Sequence, residues 1–308
     1  MSSEDFTTTL KASYRNGKQF TRRAFGQETL GTSLFDRIIL AIIVGLTVFV
    51  SAFPIYVMVA TSFVPNDKIF SLPPTLLPSE LTLAHYELIL SPKLIPFVQF
   101  FINSFIVATV VAALSVVFAT FGAYSFSRLD YPGHGIISRG VLVVYMFSGI
   151  LLVVPLYRVM ITLGLVDSHI SLVVSYLVFG LPLSLWLLGS YFNSLPMDIE
   201  EASMMDGYSR VETIFRITIP LSAPALVAVF LYTFLIAWNE YLFASIFLET
   251  RAQFTLPIGI EAIHASAVTN TVWGNLMAAS VLATIPVLLL FFKLEGFLTE
   301  VSFGSGKG

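Results

Sequence analysis

Six apolar runs, each long enough to cross a lipid bilayer, constrain the fold of this chain more than any other feature. They cover approximately residues 34–63, 97–126, 140–163, 169–192, 223–247 and 273–297. A helix needs about 20 apolar residues to cross the hydrocarbon core. Because lipid offers the backbone no hydrogen-bond partner, each run can cross only as a helix. The sequence therefore predicts an all-α integral membrane protein with a six-helix transmembrane domain at residues 34–300.

The low charge content agrees with this class and excludes several others. Only 11% of the residues are charged, whereas a soluble domain carries about 25%. A net charge of −3 gives no reason to expect nucleic acid as a partner. The chain has no cysteine, which excludes disulfides and thiolate metal sites. The four histidines are scattered without paired spacing, so we assign no metal site and no catalytic site.

The distribution of lysine and arginine sets the expected orientation, since loops rich in these residues stay in the cytoplasm. With both termini in the cytoplasm, twelve of the sixteen basic residues fall on that side and four on or near the other. This places a basic N-terminal segment (1–33), a polar loop (193–220) and a C-terminal tail (301–308) in the cytoplasm. The N-terminal segment is either a tail or a membrane-surface segment. External loops are expected at residues 64–96 and 249–271.

The polar loop at residues 193–220 carries the signals of two short helices joined by a tight turn. Pro196 suits the first position of the first helix, where its missing N–H costs nothing. Acidic residues follow in the first turn, where they stabilise the positive end of the helix dipole. Asp206 and Gly207 then predict a stop, with Gly207 in the left-handed conformation.

The second short helix is predicted by a capping box, in which Ser209 and Glu212 bond to each other's backbone. Pro220 and Pro224 are expected to end that helix and redirect the chain into the fifth span. The loop would then present a short rod parallel to the membrane.

Two interpretations of this rod remain open from its residues. Ala202 and Met205 share one face at a spacing of three residues. A small residue and flexible thioethers beside carboxylates suit insertion into a groove on another protein. The alternative is an amphipathic loop that lies on the lipid headgroups.

The motif of the loop resembles that of a known family. Glu201-Ala202-Ser203, then Asp206-Gly207, then Ile219-Pro220-Leu221 is similar to the EAA loop in the permease subunits of binding-protein-dependent ABC importers. In that family the loop forms a coupling helix that docks into a cleft on the ATP-hydrolysing subunit. Ser203 stands where a second alanine is usual, and Tyr208 replaces the usual alanine after the glycine.

The resemblance implies a role in coupling to the ATPase for one set of residues in the loop. These are Glu200, Glu201, Ala202, Ser203, Met205, Asp206, Gly207 and Pro220.

Further segments are similar to the sugar-importer branch of the family. They lie at residues 238–243, 255–257 and 273–279. The tail that ends in Gly306, Lys307 and Gly308 is similar to the carboxyl terminus of the second permease in maltose-type importers. In that branch the tail reaches into the interface between the ATPase subunits.

The resemblance also implies the surroundings of the chain. A permease of this kind lies in the cytoplasmic membrane of a prokaryote and forms half of a translocation pathway for a sugar or oligosaccharide. Its expected partners are two ATP-binding subunits, a second and non-identical permease, and an extracellular solute-binding protein. ATP and magnesium would bind to the ATPase subunits, and this chain would bind no cofactor.

Three residues of the fifth apolar run are candidates for the substrate pathway. Asn239 and Glu240 are polar groups in a membrane segment, and such groups usually face a pathway or a partner because lipid disfavours them. They would line the route of a sugar or, equally, join helices to each other. Trp238 would stack on a sugar ring or pack in the core.

Other functions would require sequence features that differ from these. The chain has no G-x-x-x-x-G-K-S/T loop, so it is not expected to hydrolyse ATP or to be an enzyme. The alternatives are an importer for another solute, such as a polyol phosphate, and an ion-coupled secondary transporter. The latter needs ion-binding carboxylates or broken helices near the midplane, and Glu240 is the lone candidate for such a carboxylate.

Overall fold

A computed structural model of the chain describes residues 34–70, 80–92, 95–146, 149–265 and 272–304. The predicted N-terminal segment 1–33 and the tail residues Gly306, Lys307 and Gly308 lie outside the described residues. Parts of the predicted external loops, residues 71–79, 93–94 and 266–271, lie outside them as well. The chain divides into two units, Met1–Val57 and Met58–Gly308.

The described residues form helices and no strand. In chain order the α-helices are α1 Leu34–Ser62, α2 Ala84–Leu90, α3 Phe97–Arg128, α4 His134–Tyr145, α5 Gly149–Leu163, α6 His169–Ser194, α7 Met197–Met205, α8 Arg210–Thr213, α9 Ile219–Leu221, α10 Ala223–Trp238, α11 Leu242–Phe247, α12 Leu256–Ala265 and α13 Val272–Gly304. A π-helical turn, Ile214–Thr218, joins α8 to α9, and a 3₁₀ turn, Arg251–Gln253, precedes α12.

Four of these helices are long and apolar enough to cross a membrane on their own. The segments that meet this condition are Arg37–Ser62, Phe97–Arg128, His169–Ser194 and Trp273–Glu295. Two further helical segments, Arg210–Leu221 and Ala223–Trp238, meet at 79°, and they make a fifth crossing if the bent pair is counted as one span. The all-α membrane fold expected from the apolar runs is therefore confirmed.

Two of the predicted spans differ from continuous helices. The third, expected at residues 140–163, is built from α4 and α5, and α4 already begins at His134. The fifth, expected at residues 223–247, stops at Trp238 and resumes at Leu242. The prediction that Asn239 and Glu240 lie inside a helical span was therefore wrong. Glu240 accepts the N–H groups of Phe243 and Ala244, so two backbone N–H groups at the start of α11 have hydrogen-bond partners despite the break.

The first unit is represented by α1 as far as Val57. Its side chains are exposed almost throughout, and the rings of Phe49 and Phe53 lie 5.8 Å apart along one face. A helix that exposes apolar residues on all sides suits a lipid environment.

The core of the second unit lies where α3, α6 and α10 pack together. Small residues line the buried face of α3, and this allows the neighbouring backbones to approach closely. At one such point a Cβ on Gly180 of α6 would lie 3.3 Å from the methyl group of Thr233 on α10 and 3.6 Å from Ser115 on α3. The helices α3, α6 and α10 therefore form the packed centre of the second unit.

Hydrogen bonds from membrane-embedded helices fix the segment before α12. Asn103 on α3 donates to the carbonyl oxygens of Ala252 and Phe254, at 2.9 and 3.0 Å. Ser104 accepts the N–H of Leu256 at 2.7 Å. The predicted last external loop is thus held to the bundle over its first part, and residues 266–271 lie outside the described residues.

Candidate functional site

The rod of the polar loop is α7, which begins directly after Pro196. The backbone of Pro196 is extended (φ −58°, ψ 128°), so Pro196 caps the helix and does not occupy its first position as predicted. A proline there ends the preceding segment without breaking a helical hydrogen bond. Asp198 and Glu200 lie in the first turn, beside the positive end of the helix dipole.

A buried ion pair ties α7 to the end of α3. The Nε of Arg128 donates to Oε1 of Glu200 at 3.0 Å, and these side chains are 6% and 5% exposed. The hydroxyl of Tyr124 donates to the other carboxylate oxygen at 3.1 Å. Arg128 also donates through Nη2 to the carbonyl oxygen of Leu195, at 3.1 Å. Because buried charges are costly when unpaired, these bonds hold α7 in one position against α3.

A second contact holds the same face of α7 against the following helix. Ser203 lies three residues after Glu200 and is also buried. Its hydroxyl lies 3.0 Å from the hydroxyl of Thr213, which is buried at the end of α8. A small residue at position 203 therefore has a structural use here, since its hydroxyl joins the two short helices.

The opposite face of α7 is open. Glu201 and Ala202 are exposed, as is Asp206 after the helix. Met205 is 87% exposed at the tip of the rod. The flexible thioether side chain of an exposed methionine can adapt to the surface of a protein partner. The structure thus divides the predicted coupling residues: Glu200 and Ser203 face inward, and the residues around Met205 face outward.

The turn after α7 closes as predicted. Gly207 has φ +92°, its N–H donates to the carbonyl of Met204 at 3.1 Å, and the N–H of Tyr208 donates to the carbonyl of Ser203 at 3.2 Å. This pair of bonds is a Schellman motif, in which the left-handed residue is usually glycine. The turn thus reverses the chain while pairing the carbonyl groups of Ser203 and Met204 near the end of α7.

The second short helix begins with the predicted capping box. Ser209 accepts the N–H of Glu212 at 3.3 Å, and Glu212 accepts the N–H of Ser209 at 2.8 Å. Tyr208, a departure from the EAA pattern, lies beneath the guanidinium of Arg216, 4.9 Å from the ring centre. Pro220 lies in α9 and is exposed, just before the bend at Ser222.

The three candidates in the membrane occupy different surroundings. Trp238 is 4% exposed and packs against Phe101 and Phe234, with ring centres 5.5 and 5.6 Å away. Asn239 is exposed, and its side-chain amide donates to the carbonyl of Leu235 at 2.8 Å. The side chain of Asn239 is therefore bonded to the last turn of α10, the helix that it follows.

Glu240 accepts three hydrogen bonds at the break in the fifth span. It accepts the hydroxyl of Tyr176 at 2.6 Å and the N–H groups of Phe243 and Ala244 at 2.8 and 3.2 Å. The carboxylate therefore joins α6 to the break between α10 and α11. Tyr176 was not singled out by its sequence, since one tyrosine in an apolar run carries no pattern.

A cavity of about 510 Å³ lies beside this carboxylate. It is lined by Glu240, by the aromatic side chains of Tyr145, Phe179 and Phe243, and by Gly149 at the start of α5. The interruptions of the third and fifth spans meet here. Polar groups and aromatic faces in one cavity can bind a polar solute with flat, weakly apolar ring faces. Among the described residues, no cluster of His, Asp and Glu could hold a metal ion.

Comparison with known proteins places the chain in a family, although no protein-family model matches it. It is 43% identical over 267 residues to the inner membrane ABC transporter permease protein YcjP of Escherichia coli K12, covering 86% of this chain and 95% of that protein. It is 36% identical over 276 residues to the trehalose/maltose transport system permease protein MalG of Thermococcus litoralis, covering 89% and 98%. The trehalose transport system permease protein SugB of Mycobacterium tuberculosis is 31% identical over 235 residues, covering 76% and 85%.

A solved structure agrees on the fold. The chain superposes with a TM-score of 0.76, at 22% identity, on a chain from the crystal structure of a bacterial ABC transporter involved in the import of the acidic polysaccharide alginate. The match covers 87% of this chain and 99% of that chain. The sequence relatives and the shared fold agree with each other. The chain belongs to the family of ABC transporter permease proteins, in the branch that contains the MalG and SugB permeases of sugar transport systems.

Proposed function

We propose that this chain forms half of the translocation pathway of an ATP-driven importer for a sugar or oligosaccharide. Its relatives with named substrates include permeases of trehalose and trehalose/maltose transport systems. The chain would act with two ATP-binding subunits, a second permease and an extracellular solute-binding protein. ATP and magnesium would bind in the ATP-binding subunits, while this chain undergoes the conformational change.

The observation that carries the proposal is the two-sided construction of α7. Its inner face is fixed to α3 through Arg128 and Glu200, at 3.0 Å, and its outer face ends in the exposed Met205. A partner that binds the exposed face of α7 and moves this helix would therefore also move the end of α3. Since α3 belongs to the transmembrane core, force on the loop would reach the pathway.

The orientation of the bundle follows from this assignment. The loop that holds α7 would face the cytoplasm, where ATP is available, and both termini would lie on that side. The tail residues Gly306, Lys307 and Gly308 would extend toward the ATP-binding subunits. Removal of residues 305–308 is expected to lower ATP hydrolysis in the complete transporter and to leave assembly intact.

The cavity beside Glu240 supports a neutral, hydroxyl-rich solute. A carboxylate accepts hydroxyl hydrogen bonds, and aromatic faces such as Phe179 and Phe243 can pack on a sugar ring. The same carboxylate would repel an anion, so the cavity favours a sugar over a polyol phosphate. The relatives are named as ABC transporter permeases, and this favours ATP over an ion gradient as the source of energy.

Site-specific cross-linking tests the proposal directly, because the natural chain has no cysteine. Met205→Cys in the complete transporter is expected to form a disulfide with single cysteines placed in the cleft of the ATP-binding subunit. Ile136→Cys is the control, since Ile136 is 78% exposed near the start of α4 and lies outside α7. Equal cross-linking of both variants, or of neither, would contradict the docking of α7. Uptake driven by an ion gradient without ATP would contradict the proposed energy source.

A further inference from the structure

A second cavity, on the side of the bundle where the α7 loop lies, is unrelated to the proposed solute pathway beside Glu240. It has a volume of about 230 Å³ and lies between the end of α3, the first half of α4 and the end of α6. Pockets for drug-sized molecules usually have about 300–1,000 Å³. This one is therefore of the size for part of a larger molecule, such as the headgroup of a lipid.

The lining of the cavity changes from apolar to polar toward the loop side. Near the middle of α6 it is lined by Pro182, Leu185 and Trp186. Near the end of α6, on the loop side that is called the mouth here, it is lined by Ser190 and Asn193. Ser127 of α3 and Ser138 of α4 add hydroxyl groups. An apolar floor beneath a polar mouth matches an amphiphile that enters from the membrane.

The position along α6 places the mouth at headgroup depth. A helix of 26 residues is about 39 Å long, whereas the hydrocarbon core is about 30 Å thick. Asn193 lies one residue before the end of α6, so with α6 centred in the bilayer it would extend beyond the hydrocarbon. Trp186, which is 50% exposed, lies about 10 Å deeper along the axis than Asn193, where lipid chains begin.

Arg139 gives the cavity its charge. Its side chain lines the cavity, and it takes part in no ion pair with another described residue. The lining residues include no carboxylate. Basic pockets between transmembrane helices are known to bind anionic lipid headgroups. An arginine guanidinium also matches the geometry of a phosphate better than a lysine does.

We propose that this cavity binds the headgroup of an anionic phospholipid, with the phosphate at Arg139 and the first part of the acyl chains along Trp186. The hydroxyls at the mouth and the amide of Asn193 would complete the bonds to the phosphate and the glycerol. Ser127 is adjacent to Arg128, which holds Glu200 at 3.0 Å. A bound lipid would therefore lie next to the contact that positions α7.

The test is native mass spectrometry of the complete transporter, titrated with phosphatidylglycerol or with phosphatidylcholine of the same acyl chains. The wild type is expected to retain phosphatidylglycerol in preference. Arg139→Gln is expected to weaken phosphatidylglycerol binding about fivefold, which corresponds to about 1 kcal/mol. Arg210→Gln is the charge control, because Arg210 is exposed at the start of α8 and does not line the cavity.

A steric variant provides an independent measurement. Gly189 lines the cavity, and a Cβ added there meets no heavy atom within 4 Å. Gly189→Leu is therefore expected to fill the cavity without disturbing the fold and to abolish preferential lipid retention. Gly140→Leu is its control, since Gly140 also has open space around its Cβ and does not line the cavity.

Four results would overturn the proposal. One is equal retention of the two lipids by the wild type, and another is unchanged retention by both Arg139→Gln and Gly189→Leu. The third is displacement of phosphatidylglycerol by millimolar inorganic phosphate, which would identify a site for free phosphate. If a cysteine at Gly189 stayed protected from a soluble maleimide after complete removal of lipid, a protein subunit would cover the cavity, and the lipid assignment would be wrong. None of these results depends on the solute that the transporter carries.

Discussion

Arg128 and Glu200 form a buried ion pair across 72 positions of sequence, with Nε and Oε1 3.0 Å apart. Arg128 lies at the last position of α3, and Glu200 lies in the first turn of α7. The pair thus joins a helix of the transmembrane core to the exposed rod that is proposed to contact the ATP-binding subunit. Tyr124 bonds the same carboxylate from one helical turn earlier on α3.

Removal of one partner of this pair is expected to be costly. Glu200→Ala would leave Arg128 buried without its counter-charge, and this destabilises proteins by about 3–5 kcal/mol. We expect a lower temperature of thermal unfolding for the purified transporter and a lower ratio of solute imported to ATP hydrolysed. The control is Glu201→Ala, one residue further on and exposed, which should leave the unfolding temperature unchanged.

A double-mutant cycle separates the pair from its surroundings. The variant with both Arg128→Leu and Glu200→Leu should be less destabilised than the sum of the two single variants, because no charge is left unpaired. Additive effects would mean that the two side chains do not interact.

Gly207→Val tests the turn that closes α7. Gly207 has φ +92°, and a β-branched side chain resists this conformation at a cost of about 1–3 kcal/mol. We expect the variant to lose ATP-driven uptake through a displaced α7, or to fail to assemble with the ATP-binding subunits. Gly135→Val is the matched control, since it lies in α4 with open space around its Cβ and without positive φ. Normal uptake by Gly207→Val would refute the role of the turn.

Glu240→Gln tests whether the carboxylate at the helix break contacts the solute. The amide keeps the size of the side chain and loses its charge, so weaker hydrogen bonds to solute hydroxyls should raise the KM of uptake about tenfold, or about 1.4 kcal/mol. Tyr176→Phe removes the hydroxyl that donates to Glu240 at 2.6 Å and leaves the carboxylate in place. This variant should change KM by less than about twofold.

The split between KM and the maximal rate decides the assignment. If both variants lower the maximal rate and leave KM unchanged, Glu240 positions the break between α10 and α11 and does not bind solute.

Asp167 is expected to make the fold less stable as the pH becomes acidic. Its pKa is lowered because the Thr250 hydroxyl and the N–H groups of Thr250 and Glu249 donate to the carboxylate. A carboxylate whose pKa is lower in the folded state stabilises the fold above its unfolded pKa of about 3.9, and this contribution is lost as pH falls through the folded pKa. The unfolding temperature should therefore fall as the pH drops below about 3.9. Asp167→Asn should reduce that fall, and an unchanged profile would exclude this contribution.

The membrane fold and the local geometry of the polar loop could both be predicted from the amino-acid sequence. Apolar runs of this length can satisfy their backbone only as helices, so the class followed from length and composition. The turn at Gly207 and the capping box of Ser209 with Glu212 were predicted because each depends on residues within one or two turns of chain. The family was also identified from such a local motif, and the comparisons confirm it.

Contacts between helices set which side chains of the loop face the bundle. Glu200 and Glu201 are neighbours with the same chemistry, yet one is buried and the other is exposed. Nothing local distinguishes them, because the partner Arg128 lies at the end of a different helix. In the sequence this arginine indicates only membrane orientation.

The same reason explains the break in the fifth span. An apolar run predicts a continuous helix, but the Glu240 carboxylate accepts N–H groups at the start of α11 and also the hydroxyl of Tyr176 from α6. The energy of a polar group in the membrane depends on the helix that packs against it. Hydropathy along the chain therefore predicts a multi-pass helical membrane protein, whereas contacts between helices set where its segments bend and break and how α7 is held.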